Sequence, residues 1–449
     1  MYSLEPEHFE ERRRTLMDAI GPDGVAIFTA NPRQRRSHDT YFPYRPSSAI
    51  LYLTGFTEPQ AVVVLAPGHD EGEFAMFVRD RDEEAETWNG RRHGPEGAEE
   101  DFGANVAHPI DDLDEKLPEF LETRDSLYYT LGDDPDFDER VVDWVNDLRH
   151  RRNEPSAAPG RIVDARDLLH EQRLCKRPEE IELLRRANRV TAQAHVLAMR
   201  HCQPGMDEYE LEALLEYHFR REGAEFPAYP SIVASGNNAT VLHYTDNRDE
   251  LEEDDVVLID AGCEFEYYAG DITRSFPVSG EFAPAVRDLY QAVLEVQCAA
   301  IDDVEPGRPF EELQERTVER IAEVLVDFDL LDGPTEEIVE EESYKEYFPH
   351  KVSHWLGLDV HDVPPYFTDD GDSRPLEPGM TLTVEPGIYV DEADESAPEA
   401  LRGTGIRIED DVVVRQDGHE NLSADCPKTA DEIEDLVGSA DGPPLPVDG

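Results

Sequence analysis

Apolar and polar positions in the first third of the chain follow two alternating patterns. Short apolar runs followed by turn residues occur at 48–56 (SAILYLTGF), 61–67 (AVVVLAP) and 74–80 (FAMFVRD), and they predict buried strands. The stretch 139–152 (ERVVDWVNDLRHRR) repeats its apolar positions at the helical period, so it predicts a helix. The chain therefore begins with a module of mixed helices and strands, which we expect to end near residue 173.

The pattern changes after this point, where two long amphipathic helices are predicted. The first begins at Pro178, a residue type that suits the first turn of a helix, and glutamates fill the next two positions beside the positive end of the helix dipole. The second has Asp207 as its N-cap, Glu210 three residues later as the partner in a capping box, and Gly223 as its stop. The first helix repeats its buried positions at steps of three and four residues, at Ile181, Leu184, Ala187, Thr191 and Ala194.

Strands and helices alternate in blocks through the rest of the second module. We expect strands from about 231 to 278, helices from about 284 to 327, and strands again from about 380 to 415. The final stretch, LVGSADGPPLPVDG, is rich in glycine and proline and predicts a flexible tail. The pattern therefore predicts an α+β chain with a first domain at 1–173, a second domain at 174–435 and a tail at 436–449.

Two aspartates lie on neighbouring apolar strands of the second module. Val256–Ala261 carries Asp260, and a strand around 269–278 carries Asp271. A turn centred on 264–267 predicts that the two aspartates lie directly opposite each other on one face, with Cβ atoms about 4.5–5.5 Å apart. Carboxylates that close in an apolar setting repel each other unless one is protonated or a cation lies between them. Two metal ions bridged by carboxylate would resolve the conflict.

Further candidate ligands lie in the last third of the chain. The stretch 350–362 (HKVSHWLGLDVHD) contains three histidines, His350, His354 and His361. Two more acids, Glu385 and Glu409, have apolar neighbours, and Arg407 is predicted on the same strand face as Glu409. Each short motif alone is more often an ordinary packed strand or turn. Together, four carboxylates and the His354 imidazole form an oxygen-rich set that suits Mn²⁺, Co²⁺, Fe²⁺ or Zn²⁺.

The charge of the chain is extreme and narrows the classes of partner. It has 103 acidic residues against 41 lysines and arginines, a formal net charge of −62, and only five of the bases are lysines. Because the acids are spread along the whole length among apolar positions, we interpret the protein as a folded cytoplasmic one from a cell with molar internal salt, which screens the repulsion. Nucleic acid and anionic membranes would be repelled and are not expected partners. The N-terminus has no apolar segment of the signal-peptide type.

These residues resemble a known family, the pita-bread metallopeptidases, which include aminopeptidase P, prolidase and methionine aminopeptidase. The ordered set Asp260, Asp271, His354, Glu385 and Glu409 is similar to the dinuclear metal ligands of that family. The likeness is strongest to the bacterial-type Xaa-Pro aminopeptidases, through ASGNNATVLHY, SHWLGLDVHD and GIRIEDD. The first module resembles the same subfamily through YFPYRPSSAILYLTGFTEP and WNGRRHG, a module that methionine aminopeptidase would not need.

The resemblance implies both the fold and the roles of the site residues. It implies a creatinase-like α/β N-terminal domain followed by a pita-bread domain of curved antiparallel sheet with flanking helices. Asp271 and Glu409 would bridge two metal ions, Asp260 would bind the second, and His354 and Glu385 the first. The remaining implied roles are substrate contact and stabilisation of the tetrahedral intermediate by His243 and His361, the proline-side subsite for His350, and support of the acidic ligands by Arg407. Tyr229 and Tyr389 are further candidate walls of the pocket for proline.

The function implied by the resemblance is a metal-dependent exopeptidase. It would release the N-terminal residue from peptides with proline in second position, by means of a hydroxide shared by two divalent ions, most naturally Mn²⁺, with Glu385 accepting or relaying the proton. Prolidase, which accepts only dipeptides, is the nearest alternative. A catalytically inactive pita-bread protein that binds peptides is a second alternative, although such proteins typically lack ligands. A homodimer or homotetramer is the expected assembly.

Overall fold

The chain forms two compact units in the computed structural model, which describes residues 4–151 and 158–440. The first unit is Met1–Gln172 and the second is Arg173–Gly449. Among the described helices, every one is too short or too polar to cross a membrane.

The first unit is built on a six-stranded mixed sheet. Its helices are α1 (Pro6–Ile20), α2 (Ser48–Thr54), α3 (Glu83–Asn89), α4 (Gly94–Phe102), α5 (Leu113–Leu121), α6 (Pro135–His150) and α7 (Ala165–Leu174), the last of which ends in the second unit. Its strands are β1 (Gly24–Thr29), β2 (Arg35–Ser37), β3 (Thr40–Tyr41), β4 (Val62–Leu65), β5 (Phe74–Val78), β6 (Val106–Pro109), β7 (Ser126–Tyr128) and β8 (Arg161–Val163). The sheet order is β6-β5-β4-β1-β7-β8; β2 and β3 form a separate exposed hairpin.

One predicted strand of the first unit is wrong. The run at 48–56 forms helix α2, which ends at Gly55 in the left-handed conformation (φ 70°). Five consecutive residues of this helix, from Ile50 to Thr54, are buried. A continuously apolar run of this kind has no periodicity, so the sequence alone cannot distinguish a buried helix from a buried strand. The predicted strands at 61–67 and 74–80 are confirmed as β4 and β5, and the predicted helix at 139–152 as α6.

The second unit packs helices against small antiparallel sheets. Its helices are α8 (Pro178–His201), α9 (Glu208–Glu222), α10 (Pro284–Asp302), α11 (Phe310–Asp327), α12 (Thr335–Glu340) and α13 (Ala430–Leu436). Its strands are β9 (Phe226–Pro227), β10 (Ile232–Ser235), β11 (Val256–Ala261), β12 (Cys263–Phe265), β13 (Tyr268–Ala269), β14 (Ile272–Pro277), β15 (Thr381–Val384), β16 (Gly387–Val390), β17 (Thr404–Arg407), β18 (Asp410–Arg415) and β19 (Gly418–Asn421). The sheet orders are β10-β11-β14, β13-β12-β9, β15-β18-β19 and β16-β17.

The two predicted helices at the start of the second unit are confirmed, with their ends. Helix α8 begins at Pro178, and its predicted apolar positions are buried. Helix α9 has the predicted capping box between Asp207 and Glu210, and Gly223 ends it in the left-handed conformation (φ 98°). Of the predicted tail, residues 441–449 lie outside the described part of the chain, whereas the N–H groups of Gly438 and Ala440 donate to carbonyls of α8.

Candidate metal centre

A long hairpin carries the first two candidate ligands, and its register differs from the predicted one. Asp260 lies opposite Thr273, two positions beyond Asp271. The turn is the two-residue pair Glu266–Tyr267, with φ of 47° and 66°, so it is centred one residue later than predicted. Because this slip moves the pairing by two positions, both aspartates keep the same face of the hairpin.

Two glycines let this hairpin pass from one sheet to another beside the site. Strands β11 and β14 belong to one sheet and β12 and β13 to the next, with Gly262 and Gly270 at the two crossings. A Cβ atom on Gly262 would lie 1.7 Å from the carbonyl oxygen of Gly270, and one on Gly270 would lie 3.0 Å from Oγ1 of Thr191 on α8. The close approach therefore requires glycine, and it sets the bend from which Asp271 emerges.

The other three candidate ligands lie just outside strands of the C-terminal half. The N–H of His354 donates to Thr383 Oγ1 (3.2 Å), and its Nδ1–H donates to the Trp355 carbonyl (3.0 Å), which leaves Nε2 free to face the site. Glu385 follows β15, and its N–H donates to the Val352 carbonyl (2.8 Å). Glu409 precedes β18 and pairs with Thr273 of the hairpin, whose Oγ1 donates to Glu409 Oε2 (2.6 Å).

The five candidate ligands converge on one cleft of about 1010 Å³. Asp271, His354 and Glu409 each offer one ligand atom, and these atoms lie within 4.8 Å of one another. His354 Nε2 is 3.5 Å from Asp271 Oδ2 and 3.6 Å from Glu385 Oε1. Asp260 joins the group through Tyr229, whose hydroxyl donates to Asp260 Oδ1 (2.6 Å) and also contacts Asp271 Oδ1.

Burial raises the pKa of three carboxyl groups at the centre. It raises the pKa of Glu385 to about 7, although the charges of His354 and Arg407 oppose the shift. It also raises the pKa of Asp271, and that of Glu409 well above its usual range, where the neighbouring acids add to the effect. Burial opposes protonation of His354, but the Asp271 hydrogen bond and the Glu385 charge outweigh it and raise the pKa to about 9. A bound cation would displace these protons.

Arg407 supports the acids from the side of the cleft. The guanidinium is buried, and its Nη2 donates to Asp260 Oδ2 (2.5 Å), its Nη1 to the Tyr389 hydroxyl (2.9 Å) and its Nε to Thr273 Oγ1 (3.2 Å). One guanidinium cannot balance four ionised carboxylates, so further positive charge is needed before all four can ionise. This need, and the oxygen-rich ligands, fit divalent cations.

The predicted substrate residues occupy different positions around the cleft. His243, His350 and His361 line it, and the ring of His361 meets that of His354 edge-on, with centroids 4.4 Å apart. Burial and the Arg407 charge lower the pKa of His350 to about 3, so this ring is neutral; its Nδ1–H donates to the Lys351 carbonyl (2.8 Å) and its Nε2 accepts from Tyr389 (2.8 Å). Tyr389 lies behind His350 and Arg407, away from the described lining.

The sequence analysis missed a buried network behind Glu409. Arg274, which is fully buried, donates to the Glu409 carbonyl (2.7 Å) and to Asp410 Oδ1 (2.7 Å), and Lys428 donates to Asp410 Oδ2 (2.6 Å). The available signal was an arginine within the apolar strand that follows Asp271. Thr273 could also have been predicted as part of the site, because strand alternation places it on the same face as Asp271.

Comparison with known proteins agrees with this arrangement. Residues 182–416 match metallopeptidase family M24, and residues 9–128 match the aminopeptidase P N-terminal domain. The chain belongs to family M24. Its fold is accordingly an aminopeptidase P N-terminal domain followed by a pita-bread domain, as the sequence predicted.

Relatives match over nearly the full length of the chain. The Xaa-Pro aminopeptidase of Escherichia coli (strain K12) is 43% identical over 98% of this chain and 99% of that protein, and the one from Haemophilus influenzae is 39% identical over 97% and 98%. Among solved structures, aminopeptidase PepP of Pseudomonas aeruginosa has a TM-score of 0.95 at 46% identity, covering 97% of this chain and 98% of that one. Zn-substituted E. coli aminopeptidase P in complex with product has a TM-score of 0.93 at 43% identity, covering 96% and 98%.

Proposed function

We propose that this chain is an Xaa-Pro aminopeptidase, a metal-dependent exopeptidase that releases the N-terminal residue from peptides with proline in second position. The observation that carries the proposal is the convergence of Asp271, His354 and Glu409 within 4.8 Å, beside Asp260 and Glu385, in one cleft. Full-length likeness to Xaa-Pro aminopeptidases supports the same function.

The five convergent residues are the proposed ligands of two divalent ions, with Mn²⁺ as the proposed physiological metal. When bound, the ions would lower the pKa of a shared water and polarise the scissile carbonyl. Asp260, Asp271, His354, Glu385 and Glu409 are the residues that would hold the ions. The hydrogen bond from His354 Nδ1 to Trp355 supports this role because it leaves Nε2 as the ligand atom.

The chain's own residues would position the peptide and move its protons. Glu385 lines the cleft between His354 and His350 and is proposed to take the proton from the attacking water. His361 and His243 are proposed to donate hydrogen bonds to the carbonyl oxygen as it gains charge. His350 is proposed to form the wall beside proline, held there by Tyr389 and Arg407. Proline needs a shaped surface more than a hydrogen-bond acceptor, since it has no N–H.

An assay with the tripeptide Gly-Pro-Ala and the dipeptide Gly-Pro tests this function. Chelated protein in molar KCl should cleave Gly-Pro-Ala once Mn²⁺ is added, and it should remain inactive without metal. Hydrolysis of Gly-Pro alone would favour prolidase, which the comparisons do not favour. Failure to bind Mn²⁺ in a titration would favour an inactive peptide-binding protein, despite the presence of all five ligands.

Several wider properties belong to the same proposal. The domain limits are proposed at 1–173 and 174–435, followed by a C-terminal segment at 436–449. The high density of acidic residues supports a cytoplasmic protein from a salt-rich cell, with peptides rather than nucleic acid or membranes as partners. A homodimer or homotetramer is the proposed assembly, and sedimentation in molar KCl would test it.

A further inference from the structure

One lysine lines the cleft in a chain that contains only five lysines. Two basic side chains, Lys351 and Arg407, line the cleft within the described residues. Arg407 is buried and held by Asp260, whereas Lys351 is exposed and has no ion pair to any described carboxylate. Among the described residues, the Lys351 ammonium therefore has no ion-pair partner, and it sits on a flexible stem at a residue that lines the cleft.

The backbone of Lys351 is fixed relative to the proposed catalytic residues. His350 Nδ1–H donates to the Lys351 carbonyl (2.8 Å), and the N–H of Val352 donates to Gln314 Oε1 (2.7 Å). The Val352 carbonyl in turn accepts from the N–H of Glu385 (2.8 Å). Although the ammonium itself is mobile on its stem, its point of attachment is held next to the wall proposed for proline.

The negative net charge of the molecule indicates a role for a positive charge at this position. A net charge of −62 repels a negatively charged substrate, and the cleft also holds Glu311 on the same face of α11 as Gln314. A peptide that ends shortly after proline brings its own carboxylate into this region. A local ammonium would offset the repulsion where the peptide enters.

We propose that Lys351 is a specificity-determining residue that binds a substrate carboxylate beyond the proline. The carboxylate can be the C-terminus of a short peptide or an acidic side chain at the third position, since both present the same chemistry. The inference rests on the proposed Xaa-Pro aminopeptidase function. It assigns Lys351 no part in bond cleavage.

Three tripeptides separate the two sources of carboxylate. Ala-Pro-Ala carries the C-terminal carboxylate, Ala-Pro-Asp-NH₂ carries only a side-chain carboxylate, and Ala-Pro-Ala-NH₂ carries neither. The Mn²⁺-loaded protein should have a kcat/KM about two- to fivefold higher for one or both of the charged peptides than for the neutral one, the range expected of an exposed ion pair. The charged peptide that shows the preference identifies the source.

Substitutions at Lys351 test whether this residue causes the preference. Lys351→Ala should abolish it through KM, Lys351→Glu should reverse it, and Lys351→Arg should retain it. Displacement of His350 would instead lower kcat for all three peptides equally. Lys345→Ala is the matched control, because the Lys345 ammonium pairs with Glu342 (2.7 Å) and lies outside the described cleft lining.

The possible outcomes test the role of Lys351 separately from the proposed aminopeptidase function. A wild-type protein that cleaves all three peptides with equal kcat/KM, or a preference that persists in Lys351→Ala, would overturn the role of Lys351 and leave the aminopeptidase function intact. A wild-type protein that cleaves none of the three peptides with Mn²⁺ would contradict both the role of Lys351 and the aminopeptidase function. Assays at the lowest ionic strength at which circular dichroism shows folded protein, and again in molar KCl, should show the preference shrinking with salt.

Discussion

The hydroxyl of Tyr229 joins two acids of the candidate metal centre. It contacts both Asp260 and Asp271, the two acids that come from opposite arms of the hairpin. Since it also lines the cleft, Tyr229 can orient the carboxylates without being one of the five proposed ligands.

Tyr229→Phe should therefore weaken metal binding or activity by about ten- to a hundredfold, the usual effect of removing a partner of a metal ligand. Mn²⁺ titration and kcat/KM on Ala-Pro-Ala measure the loss. Tyr244→Phe is the control, because the Tyr244 hydroxyl donates to Glu208 (2.8 Å), away from the ligands. Equal behaviour of the two variants would show that the Tyr229 hydroxyl does not organise the acids.

The raised pKa values predict how the metal-free protein responds to pH. A carboxyl group whose pKa rises from its unfolded value to about 7, as for Glu385, favours the folded state at low pH and loses that contribution as pH rises through 7. His354, raised to about 9, loses its contribution as pH rises from about 6.5 through 9. Both groups therefore contribute less to stability as pH rises, and the metal-free protein should lose stability between about pH 5 and pH 9.

Thermal unfolding with and without Mn²⁺ across this pH range tests the sign. The difference in Tm between the metal-loaded and metal-free protein should widen as pH rises, because groups outside the centre contribute equally to both. A difference that narrows with pH would show that the acids of the centre are not protonated in the metal-free fold.

That the five proposed ligands line one cleft could be predicted from sequence because each is an acid or imidazole among apolar neighbours. Tyr229 was predicted only as a wall of the proline pocket, and its contacts with the acids could not be predicted, since a tyrosine in a loop gives no pattern from which they follow. Arg274 and Asp410 were missed for a different reason. A buried ion pair requires partners from distant segments, and strand alternation alone does not identify them.

At the scale of elements, the bend of the hairpin depends on Gly262. Gly262→Ala would place a Cβ atom 1.7 Å from the Gly270 carbonyl oxygen, a contact that only separation of the strands can relieve. We expect a loss of about 3 kcal/mol or more in the free energy of unfolding, together with weaker Mn²⁺ binding as Asp271 moves.

Gly160→Ala provides the matched control for this substitution. A Cβ atom there would approach only the Asp125 carbonyl oxygen, at 3.9 Å, so the change should alter stability by less than about 0.5 kcal/mol. If Gly262→Ala has the same midpoint of chemical unfolding and the same Mn²⁺ affinity as Gly160→Ala, the bend does not require glycine.

Elements with a clear period or a capping signal could be predicted, and those without one could not. The start of α8 and both ends of α9 follow from Pro178, Asp207 and Gly223, each of which acts on local backbone geometry. The predicted hairpin register was wrong because nothing in the sequence marks Glu266–Tyr267 as a turn with two positive φ values. The prediction that both aspartates lie on one face was nevertheless correct, because a shift of two positions preserves strand alternation.

At the scale of the whole molecule, the net charge predicts dependence on salt. Dilution from about 3 M to 0.1 M KCl lengthens the distance over which charges interact to about 10 Å, so the Tm of the metal-loaded protein should fall steeply. Sucrose is the control, since it favours the folded state without screening charge. A Tm that sucrose restores as well as KCl does would argue that repulsion between carboxylates is not the cause.

The order in which the chain is synthesised bears on how the pairing of Thr273 with Glu409 can form. Asp260 and Asp271 leave the ribosome on the order of ten seconds before Glu409 does, at roughly 5–20 residues per second. His354 and Glu385 emerge in the later part of that interval, and Glu409, with which Thr273 pairs, is the last to appear. Binding of cations by the proposed centre would thus come late in synthesis, because a nascent chain halted before Glu409 lacks one of the five proposed ligands.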